Sequence, residues 1–68
     1  MKEKNIPIHT ITLERSGKTY QGSYTVDRGL LTVTFGMATK SDLLSGLRPE
    51  SLAVLLLGEL VEEHMRGC

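Results

Sequence analysis

Apolar and polar residues alternate along the first half of the chain, and this alternation predicts β-strands. Three segments rich in β-branched and aromatic residues carry it: residues 8–15, 19–26 and 30–37. Two short links, Ser16-Gly17 and Arg28-Gly29, separate these segments. Glycine-containing links of two residues join antiparallel strands in tight hairpins, so we expect a three-stranded antiparallel meander.

Taken as two-residue loops, the links set one strand register. It places the apolar residues of the three strands opposite one another: Leu13–Tyr20, Ile11–Gly22, His9–Tyr24, Val26–Leu31, Tyr24–Val33, Gly22–Phe35 and Tyr20–Met37. A slip of one residue would set this apolar face against threonines. We expect Phe35 to cover the mid-strand Gly22, and the alternative is a close approach of a ligand or of the helix to its backbone.

Hydroxyl and amide side chains dominate the opposite sheet face. The strands place these residues there: Thr10, Thr12, Thr19, Gln21, Ser23, Thr25, Thr32 and Thr34. Threonine combines a high strand propensity with tolerance of water, which favours a solvated face. A polar binding platform, or a face covered by a partner, is the alternative.

The C-terminal segment, residues 49–66, is predicted to form one helix. Pro49 suits a first helical turn, Glu50 suits the positive end of the helix dipole, and Gly67 is a natural stop. The apolar stripe is centred on these residues: Ala53, Leu56, Leu57, Leu60 and Val61. With its shoulders the apolar arc spans about 200°, which is wider than a three-stranded sheet covers.

The residues on the shoulders of this helix are candidates for a partner interface: Leu52, Val54, Leu55 and Met65. Residues 38–48 could fold over them, the helix could pack on a second copy, or another protein could dock there. A chain of 68 residues has a marginal core, and its one cysteine, Cys68, forms no internal disulfide. The marginal core and the wide apolar arc of the helix both favour a homodimer.

The segment between strands and helix admits several structures. We expect the third strand to continue to about Thr39, followed by an irregular connection that carries Leu43, Leu44 or Leu47 into the core. A short fourth strand, or a helical turn capped by Ser41 or Asp42, is the alternative.

The charge balance argues against nucleic-acid binding, because eight basic and eight acidic residues give a formal net charge of zero. A nucleic-acid binder that uses the open sheet face remains the second hypothesis, with Arg15, Lys18 and Arg28 as contacts. No apolar run reaches the length of a membrane span. A charged N-terminus and a single cysteine favour the cytoplasm.

Candidate chemistry is sparse, so we expect neither an enzyme nor a bound cofactor or metal. Gly17-Lys18-Thr19 matches the end of a phosphate-binding loop, but Thr12 stands where that motif requires glycine. A metal site would need His9, His64 and Cys68 to converge, which requires the helix to run back beside the edge strand. The helix glutamates indicate a solvated face: Glu59, Glu62 and Glu63.

Residues 15–26, the triplet Leu31-Thr32-Val33 and a leucine-rich helix after a proline resemble a group of short uncharacterised bacterial proteins. The resemblance covers most of the chain, implies a bacterial cytoplasmic protein with strand-strand-strand-helix order, and carries no assigned activity. The sequence thus predicts a single α+β domain over residues 1–68. We expect a non-enzymatic protein-interaction module that homodimerises.

Overall fold

The structure, a computed structural model, describes residues 6–66. Its elements follow one another in the order β1 (His9–Arg15), β2 (Lys18–Asp27), β3 (Leu30–Phe35), β4 (Ala38–Leu43) and α1 (Pro49–Arg66). The strands form one antiparallel sheet in the order β1-β2-β3-β4. The α+β class and the helix over residues 49–66 are confirmed, whereas the sheet has four strands where three were predicted.

The first two hairpins have the turns that the sequence predicts. Ser16 and Gly17 have φ values of 56° and 77°, and Arg28 and Gly29 have 56° and 80°. Positive φ at both central residues is the mark of a type I′ turn, whose twist matches that of the flanking strands. Five of the seven predicted pairs are therefore found in the sheet, for example Ile11 opposite Gly22, whereas the ladder between β2 and β3 ends at Ser23–Thr34, before the predicted pair of Gly22 with Phe35.

A third tight turn creates the fourth strand. Gly36 has a φ of 61° and precedes Met37, as in a type II′ turn, so the chain reverses after Phe35. Phe35 consequently pairs with Ala38. The predicted extension to about Thr39, with Met37 opposite Tyr20, is wrong, because Met37 stands fully exposed in the turn. The short fourth strand, considered as an alternative, is present.

Helix α1 covers one face of the sheet and supplies most of the core. The buried apolar side chains are Tyr24, Leu31 and Val33 from the sheet and Leu52, Ala53, Leu56, Leu57, Leu60 and Val61 from the helix. All five residues at the predicted centre of the apolar stripe are among them. Burial of these side chains provides the main stabilisation of the fold.

Leu52 is the one predicted interface residue that belongs to the core, since only 5% of it is exposed. It lies on the side of the helix that also carries Glu59 and Glu63, and both of these contact Lys40 in β4. The fourth strand widens the sheet on that side, and this is why the helix buries more of its apolar arc than expected.

Close approach of the helix explains the glycine in the middle of β2. A Cβ atom at Gly22 would lie 2.9 Å from Leu57 Cδ1 and 2.9 Å from the main-chain oxygen of Thr34. Leu57 of the helix and the main chain of β3, and not the Phe35 side chain, are thus the nearest neighbours of Gly22. Phe35 instead packs edge-on against Tyr20, with ring centroids 6.0 Å apart.

The connection from β4 to α1 contributes one leucine to the core. Leu44 packs against the core while Leu43 and Leu47 stay exposed. The main-chain N–H of Leu44 donates to the carbonyl of Gly29 at 2.9 Å, which ties the connection to the second hairpin turn.

Candidate interaction surface

A shallow groove runs between strand β1 and helix α1, and we call it the β1-side groove. It has a volume of about 220 Å³ and is lined by Leu13, Arg15, Val54, Leu55, Gly58, Glu59 and Glu62. Gly58 faces the strand: a Cβ atom there would lie 3.3 Å from Arg15 Nη2 and 3.8 Å, an ordinary contact distance, from Leu13 Cδ2. Val54 and Leu55 are 41% and 60% exposed, so the groove has an apolar rim.

An ion pair closes one end of the β1-side groove. Arg15 Nη1 donates to Glu62 Oε2 at 2.7 Å, and Arg66 Nη2 lies 3.9 Å from the other oxygen of Glu62. The side chains of Arg15 and Glu62 are 34% and 55% exposed. Solvent screens a pair this exposed, so it orients the Arg15 side chain more than it stabilises the fold.

The opposite flank of the helix is polar and is held by Lys40. Lys40 Nζ donates to Glu63 Oε2 at 2.7 Å and lies 3.6 Å from Glu59 Oε1. The hydrogen bond with Glu63 raises the pKa of Lys40, and partial desolvation opposes this effect. The three glutamates that the sequence places on a solvated face therefore all form ion pairs with strand residues.

Three of the four predicted interface residues are exposed on the helix. Val54 and Met65 lie on the same side as Gly58 by helical periodicity, and Leu55 lies next to them toward solvent. Met65 is 45% exposed. The sequence did not predict that these residues lie beside an edge strand, because that neighbourhood depends on how the helix crosses the sheet.

The basic residues proposed as nucleic-acid contacts do not form one patch. Arg15 is paired with Glu62. Lys18 begins the ten-residue strand β2 and Arg28 follows its end, so they are separated by roughly 33 Å of extended chain. Strand alternation places Glu14 and Asp27 as the charged strand residues on the open sheet face. Within the described part of the chain, the strands therefore give that face no basic surface for phosphates.

Hydroxyl groups cover the middle of the open sheet face. Thr32 Oγ1 and Ser41 Oγ share a hydrogen bond of 3.0 Å across β3 and β4. At one end of this face Leu30 and Leu43 lie opposite each other, and both are exposed. The face is thus polar in its centre and apolar at one corner.

The two histidines lie at opposite ends of the helix. His9 stacks on Tyr24 with ring centroids 5.0 Å apart and lines a pocket with Pro49 and Glu50. His64 packs edge-on against Phe35 at 5.6 Å. The helical rise separates the two ends by about 22 Å, and Cys68 lies outside the described residues. Among residues 6–66, no three His, Cys, Asp or Glu side chains are placed to share a metal ion.

A third pocket, of about 560 Å³, lies beside the third hairpin turn, and its apolar walls include Phe35, Met37 and Leu60. In the described part of the chain, no helix combines the length and the apolar character needed to cross a membrane. Comparisons with protein-family models, curated proteins and solved structures gave no match.

Proposed function

We propose that this domain is a non-enzymatic protein-interaction module that forms homodimers through its β1 side. The observation that carries the proposal is the position of Val54, Leu55 and Met65. All three are exposed: Val54 and Leu55 line the groove beside the edge strand β1, and Met65 lies on the same flank of the helix by helical periodicity. Exposed apolar groups beside a polar rim mark sites of association.

The area that a stable dimer requires extends the interface onto the strand. A specific interface covers about 800 Å² on each partner, which is roughly one sixth of the 5088 Å² surface of this chain. Three partly exposed side chains alone provide less contact area than this. The adjoining surface is the outer edge of β1, whose main-chain groups pair with no other strand among residues 6–66 and so favour addition of another strand.

The proposal includes a bacterial cytoplasmic setting. The sequence resemblance supports the bacterial origin, and one unpaired cysteine in the chain suits a reducing compartment. In this proposal the module acts by bringing two chains together and performs no chemistry of its own.

Two leucines of equal exposure provide the test. Leu55 borders the β1-side groove and Leu43 lies in β4, and both are 60% exposed. We expect the wild type to sediment as a dimer at tens of micromolar. Leu55→Glu should weaken the dimer on the order of tenfold, or about 1.4 kcal/mol, with unchanged circular dichroism. Leu43→Glu should leave the dimer intact.

The outcomes separate the parts of the proposal. A wild-type monomer at these concentrations would overturn the homodimer. Equal behaviour of the two variants would place the interface away from the β1 side. Unfolding of Leu55→Glu would show that this side chain supports the core.

A further inference from the structure

Strand β1 presents main-chain groups outward at alternate residues. Arg15 and Lys18 flank a two-residue turn, so they exchange both main-chain hydrogen bonds, and every second pair along the ladder does the same. The main-chain groups of Leu13, Ile11 and His9 therefore form hydrogen bonds with β2. The residues between them, which direct their N–H and C=O groups away from the sheet, are Thr10, Thr12 and Glu14, and all three are exposed.

From this pattern we infer that two copies of the chain pair antiparallel through β1, with a two-fold axis at Thr12. The inference rests on the proposed homodimer and adds its register. Thr12 then faces Thr12 of the second copy, and Thr10 faces Glu14 of the second copy. Each facing pair exchanges two main-chain bonds, so the pairing supplies about six.

The side chains in this register are self-complementary. On the helix-covered face, Ile11 lies opposite Leu13 of the second copy, and both residues already pack partly buried against the core. On the open face, the hydroxyl of Thr10 lies opposite the carboxylate of Glu14, which accepts hydrogen bonds. The pairing thus continues both the core and the polar face across the axis.

Neighbouring registers form fewer main-chain hydrogen bonds between the two copies. An axis at Ile11 or at Leu13 keeps the face alternation but leaves only two facing pairs within β1, or about four main-chain bonds. An axis at Thr12 matches all three outward-facing residues, which favours this register over the others.

The symmetry also accounts for the exposed helix flank. A two-fold axis perpendicular to the sheet keeps both helices on the same face of one eight-stranded sheet. The two β1-side grooves then lie on either side of the axis, bordered by Val54 and Leu55 of each chain. The interface is closed, because each chain uses the same edge once.

A symmetric cysteine tests the register directly. Facing residues that exchange main-chain bonds have Cα atoms about 5.5 Å apart, within the range that a disulfide spans. In a Cys68→Ser background, Thr12→Cys should form a covalent dimer under mild oxidation. The matched control is Thr39→Cys, an exposed threonine of β4, which should remain largely monomeric on denaturing gels.

Thr12→Pro tests the main-chain bonds. Proline removes the outward N–H of residue 12, leaves the bonds between β1 and β2 in place, and is accepted in edge strands. We expect the dimer to weaken at least tenfold in sedimentation, while Thr12→Val, which keeps the N–H, retains it. Should Thr12→Pro fail to fold, the crosslink decides.

The results distinguish this inference from the proposal beneath it. A dimeric wild type whose Thr12→Cys variant crosslinks no better than Thr39→Cys would overturn the β1 register and leave the homodimer standing. Wild-type affinity in a folded Thr12→Pro variant would do the same. A monomeric wild type would overturn both.

Discussion

Strands β1 and β4 are the two edges of one sheet, and they differ in the residues that protect the edge. Lys40 of β4 points toward the helix and is bound by Glu63. The outward N–H of Leu43 already donates to Oδ1 of Asp42 at 2.8 Å. Charges that point inward and edge lysines keep an edge strand from adding another strand. Strand β4 thus carries edge-protecting residues, which we define as Lys40 and Asp42.

Strand β1 carries less protection along its length. Its inward-pointing charge, Arg15, is the last residue of the strand and is bound by Glu62. His9–Arg15 contains no lysine and no proline, and its centre, Ile11-Thr12, is β-branched. In the proposed dimer, this difference leaves the centre of β1 open for pairing and keeps β4 protected. One open edge per chain permits a closed dimer, whereas two open edges would permit continued growth.

The largest effect should follow from removing the edge-protecting residues of β4. Lys40→Thr combined with Asp42→Thr gives each chain two edges that can pair. We expect species larger than a dimer in sedimentation velocity, because pairing through two different edges does not close.

Two variants control for charge and for the edge used. Lys18→Thr with Glu50→Thr removes one charge of each sign away from β4 and should remain dimeric. Adding Thr12→Pro to the β4 variant should stop the growth at a dimer. If the β4 variant kept the mass of the wild type, Lys40 and Asp42 would not be what distinguishes the two edges.

The hairpin register was predictable because it depends on local chemistry. Each I′ turn needs two residues with positive φ, and the glycine links mark them, so the facing pairs follow by counting. The third turn was missed because Met37, which stands in it, continues the apolar alternation of β3. Gly36 was the available signal, since glycine is the usual first residue of a II′ turn.

Errors about the helix followed from the missing strand. Helical periodicity predicted the exposed positions of Val54, Leu55 and Met65. The burial of Leu52 could be predicted only from the width of the sheet. The β1-side groove and the contact of Arg15 with Glu62 join residues far apart in the chain. Such contacts depend on where the helix crosses the sheet, which no local pattern specifies.

Substitution by alanine should change the unfolding free energy with opposite signs at Gly22 and Gly58. The two variants compare the packing at the sheet centre with the packing beside β1. At Gly22 the new methyl group would meet a main-chain oxygen at 2.9 Å, so overpacking should cost about 1–3 kcal/mol. At Gly58 the nearest atom is Arg15 Nη2 at 3.3 Å, the end of a flexible side chain. Gly58→Ala should therefore stabilise the helix by about 0.5–1 kcal/mol.

Denaturant unfolding of both glycine variants measures this contrast. The difference should appear in the midpoint at constant slope. Destabilisation by Gly58→Ala comparable to that of Gly22→Ala would show that the β1-side groove is packed as tightly as the sheet centre.

The smallest effect should come from the charge of Lys40, which protects β4. Its partners Glu63 and Glu59 raise the pKa of Lys40 above its ordinary value of 10.5. Because the pKa is higher in the folded state, protonated Lys40 stabilises the fold, and this contribution is fully present below pH 10.5. That contribution is lost as pH rises through the raised pKa.

Lys40→Met lacks this contribution, so wild type and variant should differ in unfolding free energy at pH 8 and converge at strongly alkaline pH. Taking the difference between the two proteins cancels the titration of groups that they share. Because the ion pairs are largely solvated, the difference at pH 8 should be small. A difference independent of pH would mean that Lys40 stabilises the edge by packing its methylene groups against the helix, and that β4 is protected by shape more than by charge.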